Sequence, residues 1–132
     1  MKPLILLLAL LPIAAAANAA VSIEGKWKNP KGSVIIAVAP CGAATFCGKV
    51  TWASAEAKAD AREGGTRTLV GTSLLTGLRA TAPGTYRGRV LLPKRDMHAT
   101  AHVRTAGPNA ISVKGCAIAG LLCKEQRWTR VN

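Results

Sequence analysis

The sequence predicts a small all-β domain, an antiparallel sandwich or barrel with one short helix. Three observations carry this. Short apolar runs rich in Val, Ile and Thr recur between residues 33 and 131, with Gly, Pro or Asn at most of the breaks. One stretch, Ala53 to Glu63, is instead rich in Ala, Glu, Lys and Arg, which suits a helix. Four cysteines stand in a chain that opens like an exported protein, so disulfides are expected to brace one modest core.

The opening segment sets the compartment. Lys2 supplies a positive n-region, Leu4 to Ile13 an apolar h-region, and Ala17-Asn18-Ala19 a small-residue cleavage site. Residues 1–19 therefore read as a signal peptide and residues 20–132 as the mature domain, periplasmic or secreted. An uncleaved anchor is the rival, but the apolar run is shorter than the roughly 20 residues of a membrane span and no basic stop-transfer cluster follows it. No cysteine near the cut suggests lipidation, and no transmembrane segment is expected in the mature chain. The 113 residues left after cleavage suit one domain with one core.

Charge survives that cut. The chain carries 18 Lys and Arg against 6 Asp and Glu, a net +12, and loss of Lys2 leaves +11. Such a balance favours anionic partners: lipopolysaccharide, acidic polymers, anionic lipid or nucleic acid. The basic residues are scattered, with no run longer than Lys94-Arg95. Five aromatics (Trp27, Phe46, Trp52, Tyr86, Trp128) are too few to stack successive bases, which argues against nucleic acid.

Element by element, Ser33 to Ala39 is a β-branched apolar strand, and Phe46 to Trp52 follows it after Pro40-Cys41-Gly42. The helix starts near Ser54, a potential N-cap, and stops at Gly64-Gly65. Arg87 to Leu92, Thr100 to Arg104, Ala110 to Cys116 and Leu121 to Val131 are the remaining clear strands.

The last hairpin can be read in register. A tight turn at Ile118-Ala119-Gly120-Leu121 puts Cys116 opposite Cys123, Lys114 opposite Glu125 and Ser112 opposite Arg127. A period of two then turns Ile111, Val113, Ala117, Leu122, Lys124, Gln126, Trp128 and Arg130 inward. In the first hairpin, Cys41 opposite Cys47 would pair Val38 with Val50 and Ile36 with Trp52 on the inner face. Four cysteines allow three connectivities. The local pairs Cys41–Cys47 and Cys116–Cys123 are preferred, each clipping its own hairpin for about 2–3 kcal/mol. Crossed pairs would instead tie the first hairpin to the last. Zinc is disfavoured, because the cysteine gaps exceed C-x₂₋₄-C and the thiols would have to stay reduced.

Catalytic chemistry has little to stand on, so no enzyme, cofactor or metal site is expected. His98 and His102 share one strand face with Thr100 and Arg104 but lie roughly 13 Å apart, too far for one metal. Glu56, Asp60 and Glu63 fall on the solvated helix, and Glu125 is expected to pair with Lys114. No G-x-S-x-G, H-E-x-x-H or phosphate-binding glycine loop occurs.

The ends of the domain carry a resemblance. Gly25-Lys26-Trp27 at the start and Trp128-Thr129-Arg130 at the close resemble lipocalins and other calycin barrels. There an N-terminal Trp plugs one end and an Arg of the last strand lies over it. The chain also resembles a family of small exported bacterial proteins of unknown function. The matching residues are Gly25-Lys26-Trp27, Cys47-Gly48-Lys49-Val50 with Trp52, Gly64-Gly65-Thr66, Leu69-Val70-Gly71, Gly88-Arg89-Val90 with Pro93, Lys114-Gly115-Cys116, and Cys123-Lys124 with Gln126, Trp128 and Arg130. The chain departs from that pattern at Tyr86 and at Lys94-Arg95-Asp96-Met97.

The resemblance implies one calycin-like, lipocalin-like antiparallel β-barrel over residues 20–132, and no assigned activity. An oligonucleotide-binding barrel is the rival, but its surface aromatics are missing. In a calycin barrel of about eight strands, Trp27, Ile36, Val38, Val50, Trp52, Val90, Leu92, Val103, Ile111, Val113 and Trp128 would face the core, with Arg130 over Trp27. Lys124 and Gln126 would then be polar groups facing inward near the barrel mouth. With Arg87 or Arg89 they could meet the polar end of a small amphipathic or anionic ligand. The other expectation is a cell-envelope protein whose basic exterior binds anionic polymers or lipopolysaccharide.

Overall fold

The computed structural model describes residues 22–117 and 120–132. The leader expected at residues 1–19, and Ile118-Ala119 of the last turn, lie outside the described residues. Eight antiparallel strands run around one closed barrel in chain order: β1 Gly25–Lys28, β2 Val34–Gly42, β3 Thr45–Ala53, β4 Ser73–Ala82, β5 Thr85–Leu92, β6 Met97–Thr105, β7 Ala110–Ala117 and β8 Leu122–Val131. Closure comes from β1 pairing with β8, where Trp27 stands opposite Arg130. Closure gives every strand a neighbour on both sides, with β8 meeting β1 over Thr129–Val131.

The helix α1, Ala55–Glu63, crosses from β3 to β4. Ser54 caps it by accepting from the Ala57 N–H, and Gly64 ends it. No helix among the described residues is long and apolar enough to cross a membrane. At its C-terminal end Thr66 donates its hydroxyl to the Pro93 carbonyl, and Lys94 pairs with Asp60 at 3.4 Å. These contacts dock the crossing against the β5–β6 turn.

Inside, Trp27, Ile36, Val38, Val50, Leu75, Leu78, Ala101, Val103, Ile111, Val113 and Trp128 are buried. Backbones approach closely where the wall is lined by glycine. A Cβ on Gly88 would lie 2.5 Å from the Thr76 carbonyl oxygen and 2.9 Å from Leu78 Cδ2. Burial of this size drives the fold, at about 25 cal/mol per Å² of apolar surface removed from water.

Two register details depart from the sequence reading. In the first hairpin Ile36 pairs with Val50, Ala39 with Cys47 and Pro40 with Phe46, while Ile35 pairs with Trp52. Thr51 is thus an extra residue on β3 and Cys41 an extra residue on β2. Each bulge shifts the period of two by one residue. Trp52 therefore turns outward, 47% exposed, and Ala53 takes the buried position behind it. Trp52 is not a core residue; Trp27 and Trp128 are. Val90 and Leu92, also expected in the core, are partly buried at its margin.

The cysteines are joined Cys41–Cys47 and Cys116–Cys123. In the second pair the two residues stand directly opposite each other. Lys114 faces Glu125 by register, but the Glu125 carboxylate accepts the Ser112 hydroxyl proton, so the expected ion pair gives way to a hydrogen bond.

The two barrel ends differ. One, the floor, holds the β2–β3, β4–β5 and β6–β7 turns and residues 22–24. The other, the rim, holds the β1–β2, β5–β6 and β7–β8 turns and the α1 crossing.

Candidate binding surfaces at the floor, the mouth and the outer wall

The floor is built around Trp27. Its indole is fully buried, and Nε1 donates to the Ile23 carbonyl at 2.8 Å. The Arg130 guanidinium lies 4.2 Å from the centre of the ring. Its Nε donates to Pro108 O, Nη1 to Glu24 O and Nη2 to Ser22 O, at 2.9, 2.8 and 3.0 Å. A rigid fork of donors over an aromatic face suits arginine and not lysine. Gly25 makes room for it: at φ +127, a Cβ there would sit 2.4 Å from Arg130 Nη1. With every donor group of this fork engaged by the scaffold, the floor is a seal.

At the opposite end, β8 keeps its inner phase but leaves the barrel body. Along that face Trp128 is 7% exposed, Gln126 half-buried, Lys124 exposed and Leu122 61% exposed. The β7–β8 hairpin thus runs on past Lys28, where β1 ends, and Cys116–Cys123 braces a segment that the core cannot hold. Lys124 stands opposite Gly115, and the space there is taken up by Val90, whose Cγ1 would be 3.2 Å from a Cβ on Gly115. Trp128 Nε1 is buried without a hydrogen-bond partner.

Arg87 and Arg89 are elsewhere. The register aligns Arg87 with His102 and Lys114, and Arg89 with Thr100, Cys116 and Cys123, all on the outer face. Lys124 aligns with Gly115, Ala101 and Gly88 on the inner face. The sheet therefore separates the four residues expected to share one mouth: Lys124 and Gln126 lie on one side of the wall, Arg87 and Arg89 on the other.

What the structure does bring together is an outer groove of about 680 Å³. Arg87, Arg89, His98, Thr100, His102 and Lys114 line it, with Cys116–Cys123 at one end and no carboxylate in its wall. Side chains two apart on a strand are separated by about 6.5–7 Å and adjacent strands by about 4.8 Å. The basic groups are thus spaced to contact several anionic oxygens at once. None of them makes an ion pair among the described residues. His102 and Lys114 belong to this groove although the sequence placed the first on a merely solvated face and the second in an ion pair. The signal was present in the shared polar alternation of His98, Thr100, His102 and Arg104. Among the described residues no three His, Cys, Asp or Glu side chains gather as a metal site.

Comparison with known proteins fits this architecture. A family described as "Uncharacterized protein conserved in bacteria (DUF2147)" matches residues 25–130. No curated protein matches the chain. Among solved structures, a Helicobacter pylori protein described as belonging to the lipocalin family is similar with a TM-score of 0.66 and 13% identity, over 85% of this chain and 84% of that one. That likeness concerns the fold.

Proposed function

The chain belongs to the DUF2147 family of uncharacterised bacterial proteins, and from that premise we propose that it is an exported, non-enzymatic binding protein whose outer wall recognises an anionic component of the cell envelope. The observation that carries this reading is the groove on β5–β7, which Arg87, Arg89 and Lys114 line together, with Glu125, across from Lys114, lying outside its wall and bonded to Ser112. Clustered cations of this kind raise the local concentration of polyanions and speed their encounter. Two local disulfides agree with an oxidising compartment, in keeping with the leader expected at residues 1–19. Anionic polymers and lipopolysaccharide are the partners of matching chemistry.

The test is binding of the exported protein to polyphosphate and to lipopolysaccharide across a salt series. Affinity should fall steeply as ionic strength rises, since exposed charge interactions are screened beyond about 10 Å at 0.1 M salt. Replacing Arg87, Arg89 and Lys114 together with alanine should weaken both interactions at least about tenfold and flatten the salt dependence. Binding that ignores salt and these substitutions would refute the reading.

A second reading rests on Trp128 Nε1, a buried donor without an acceptor, two positions from half-buried Gln126 and four from Lys124. A small amphipathic or anionic ligand at the mouth would supply that acceptor and meet Lys124 with its charged end. Native mass spectrometry of protein taken from its own periplasm distinguishes the two: a bound small molecule, lost on Gln126→Ala, favours the mouth.

A further inference from the structure

All the large apolar side chains that are exposed among the described residues lie at one end of the barrel. They are Trp52 (47%), Val70 (39%), Met97 (39%), Leu121 (81%) and Leu122 (61%). Trp52 is one residue from the rim end of β3, and Val70 precedes the rim start of β4. Met97 opens β6, and Leu121 and Leu122 form the far end of the projecting β7–β8 hairpin. Among the described residues the floor end exposes none of this class. A soluble protein scatters such residues singly and at random, so their confinement to one end asks for a physical cause.

The same end carries exposed cations. Lys31 sits in the β1–β2 turn, Arg95 in the β5–β6 turn and Lys124 on the inner face of β8. Of the carboxylates at this end, Asp60 is taken by Lys94, and Glu56, Glu63 and Asp96 are outnumbered by Lys31, Lys58, Arg62, Arg67, Arg95 and Lys124. Apolar tips interleaved with cations around a ring match the interface of an anionic lipid layer. The apolar groups enter the headgroup boundary, and Lys and Arg reach the phosphates. The apolar residues are spread over β3, the segment before β4, β6 and the β7–β8 hairpin. They therefore meet a plane better than they meet the pocket of a protein partner.

We infer that the rim is a membrane-contact surface that seats the barrel, mouth down, on an anionic lipid layer. The disulfide Cys116–Cys123 gives the leading hairpin the stiffness to carry Leu121 and Leu122 forward. The inference goes beyond the groove reading, and Leu121, Leu122, Lys31, Arg95 and Lys124, on which its test rests, do not line the groove, so the two fail separately.

The experiment is co-sedimentation of the oxidised, exported protein with vesicles of phosphatidylcholine alone or with one-third phosphatidylglycerol. Wild type is compared with Leu121→Ser/Leu122→Ser and with Lys31→Ser/Arg95→Ser/Lys124→Ser. Because all share one N terminus, differences report the rim alone. Wild type should bind the anionic vesicles, and either set of substitutions should weaken binding about tenfold or more. On binding, Trp52 emission should shift to the blue and become protected from acrylamide, while buried Trp27 and Trp128 stay silent. Equal binding of wild type and the leucine variant, equal binding to both vesicle types, or no vesicle binding would overturn the inference. So would a dimer that the leucine substitutions dissolve. Retained binding to polyphosphate alongside any of these outcomes would leave the groove reading standing.

Discussion

Replacing Arg130 with alanine removes the cation–π contact to Trp27 and three hydrogen bonds that join β8 to residues 22–24 and to the β6–β7 turn. The stacking contribution at a partly exposed site is about 0.5–1 kcal/mol. Each bond to a carbonyl would be worth more if fully buried, but Arg130 is half-exposed and the released carbonyls regain water. A net of about 0.5 kcal/mol each is reasonable. The sum is about 2–2.5 kcal/mol, which for a domain of this size lowers the melting temperature by roughly 8–10 °C. Trp27→Ala empties a fully buried indole and should cost about 3–5 kcal/mol. In the double variant the costs should fall short of their sum by about 0.5–1 kcal/mol, because the stacking energy is counted in both single changes. Arg130→Lys should recover little, since an ammonium offers neither the stacking plane nor the fork. Urea and thermal unfolding followed by near-ultraviolet circular dichroism measures all four proteins. If Arg130→Ala leaves stability untouched yet abolishes binding of an anionic ligand, the arginine is a binding residue and the floor seal is wrong.

Other outcomes follow from the same geometry. Non-reducing peptide mapping should recover Cys41–Cys47 and Cys116–Cys123 and no free thiol, and a Cys47–Cys116 peptide would contradict the hairpin registers. Opening the second bridge with Cys116→Ser/Cys123→Ser should cost about 2–3 kcal/mol; faster amide exchange confined to residues 114–125 would locate the loss in the projecting hairpin. Trp128→Ala should cost about 3–5 kcal/mol, whereas Trp52→Ser should cost well under half of that, because only the first leaves a cavity. Comparable losses in chemical denaturation would mean that Trp52 packs inside. Gly25→Ala should destabilise the floor, since a φ of +127 strains any side chain and a Cβ there would push the Arg130 guanidinium off its partners; an unchanged melting temperature would count against the seal.

Much of the fold was legible because short-range signals agreed with one another. Ser54 and Gly64-Gly65 bound the helix by capping chemistry that is local to the chain. The last hairpin was readable in register because one assumed turn aligned Cys116 with Cys123, and the same alignment is found in the barrel. The strand β4, Ser73–Ala82, was not legible. Gly77 and Leu78 together stand opposite Gly88 in a bulge that scrambles the alternation from which a strand is recognised. Trp52 was misplaced for the same reason, since its side was inferred by counting in twos across Thr51, where the count breaks.

What the sequence by itself determined is therefore the class of the domain, its helix caps, its Trp27–Arg130 closure through resemblance, and the faces of strands whose period runs unbroken. The outer groove is different. Arg87, His102 and Lys114 come from three strands, and nothing local to any of them says that they form one row. Lys124 and Arg89 were grouped by charge, yet the wall of the barrel stands between them. Alternation assigns a face only within a strand and only between bulges; which residues meet across strands depends on register and closure. Those are properties of the assembled sheet, and only the tertiary structure decided them.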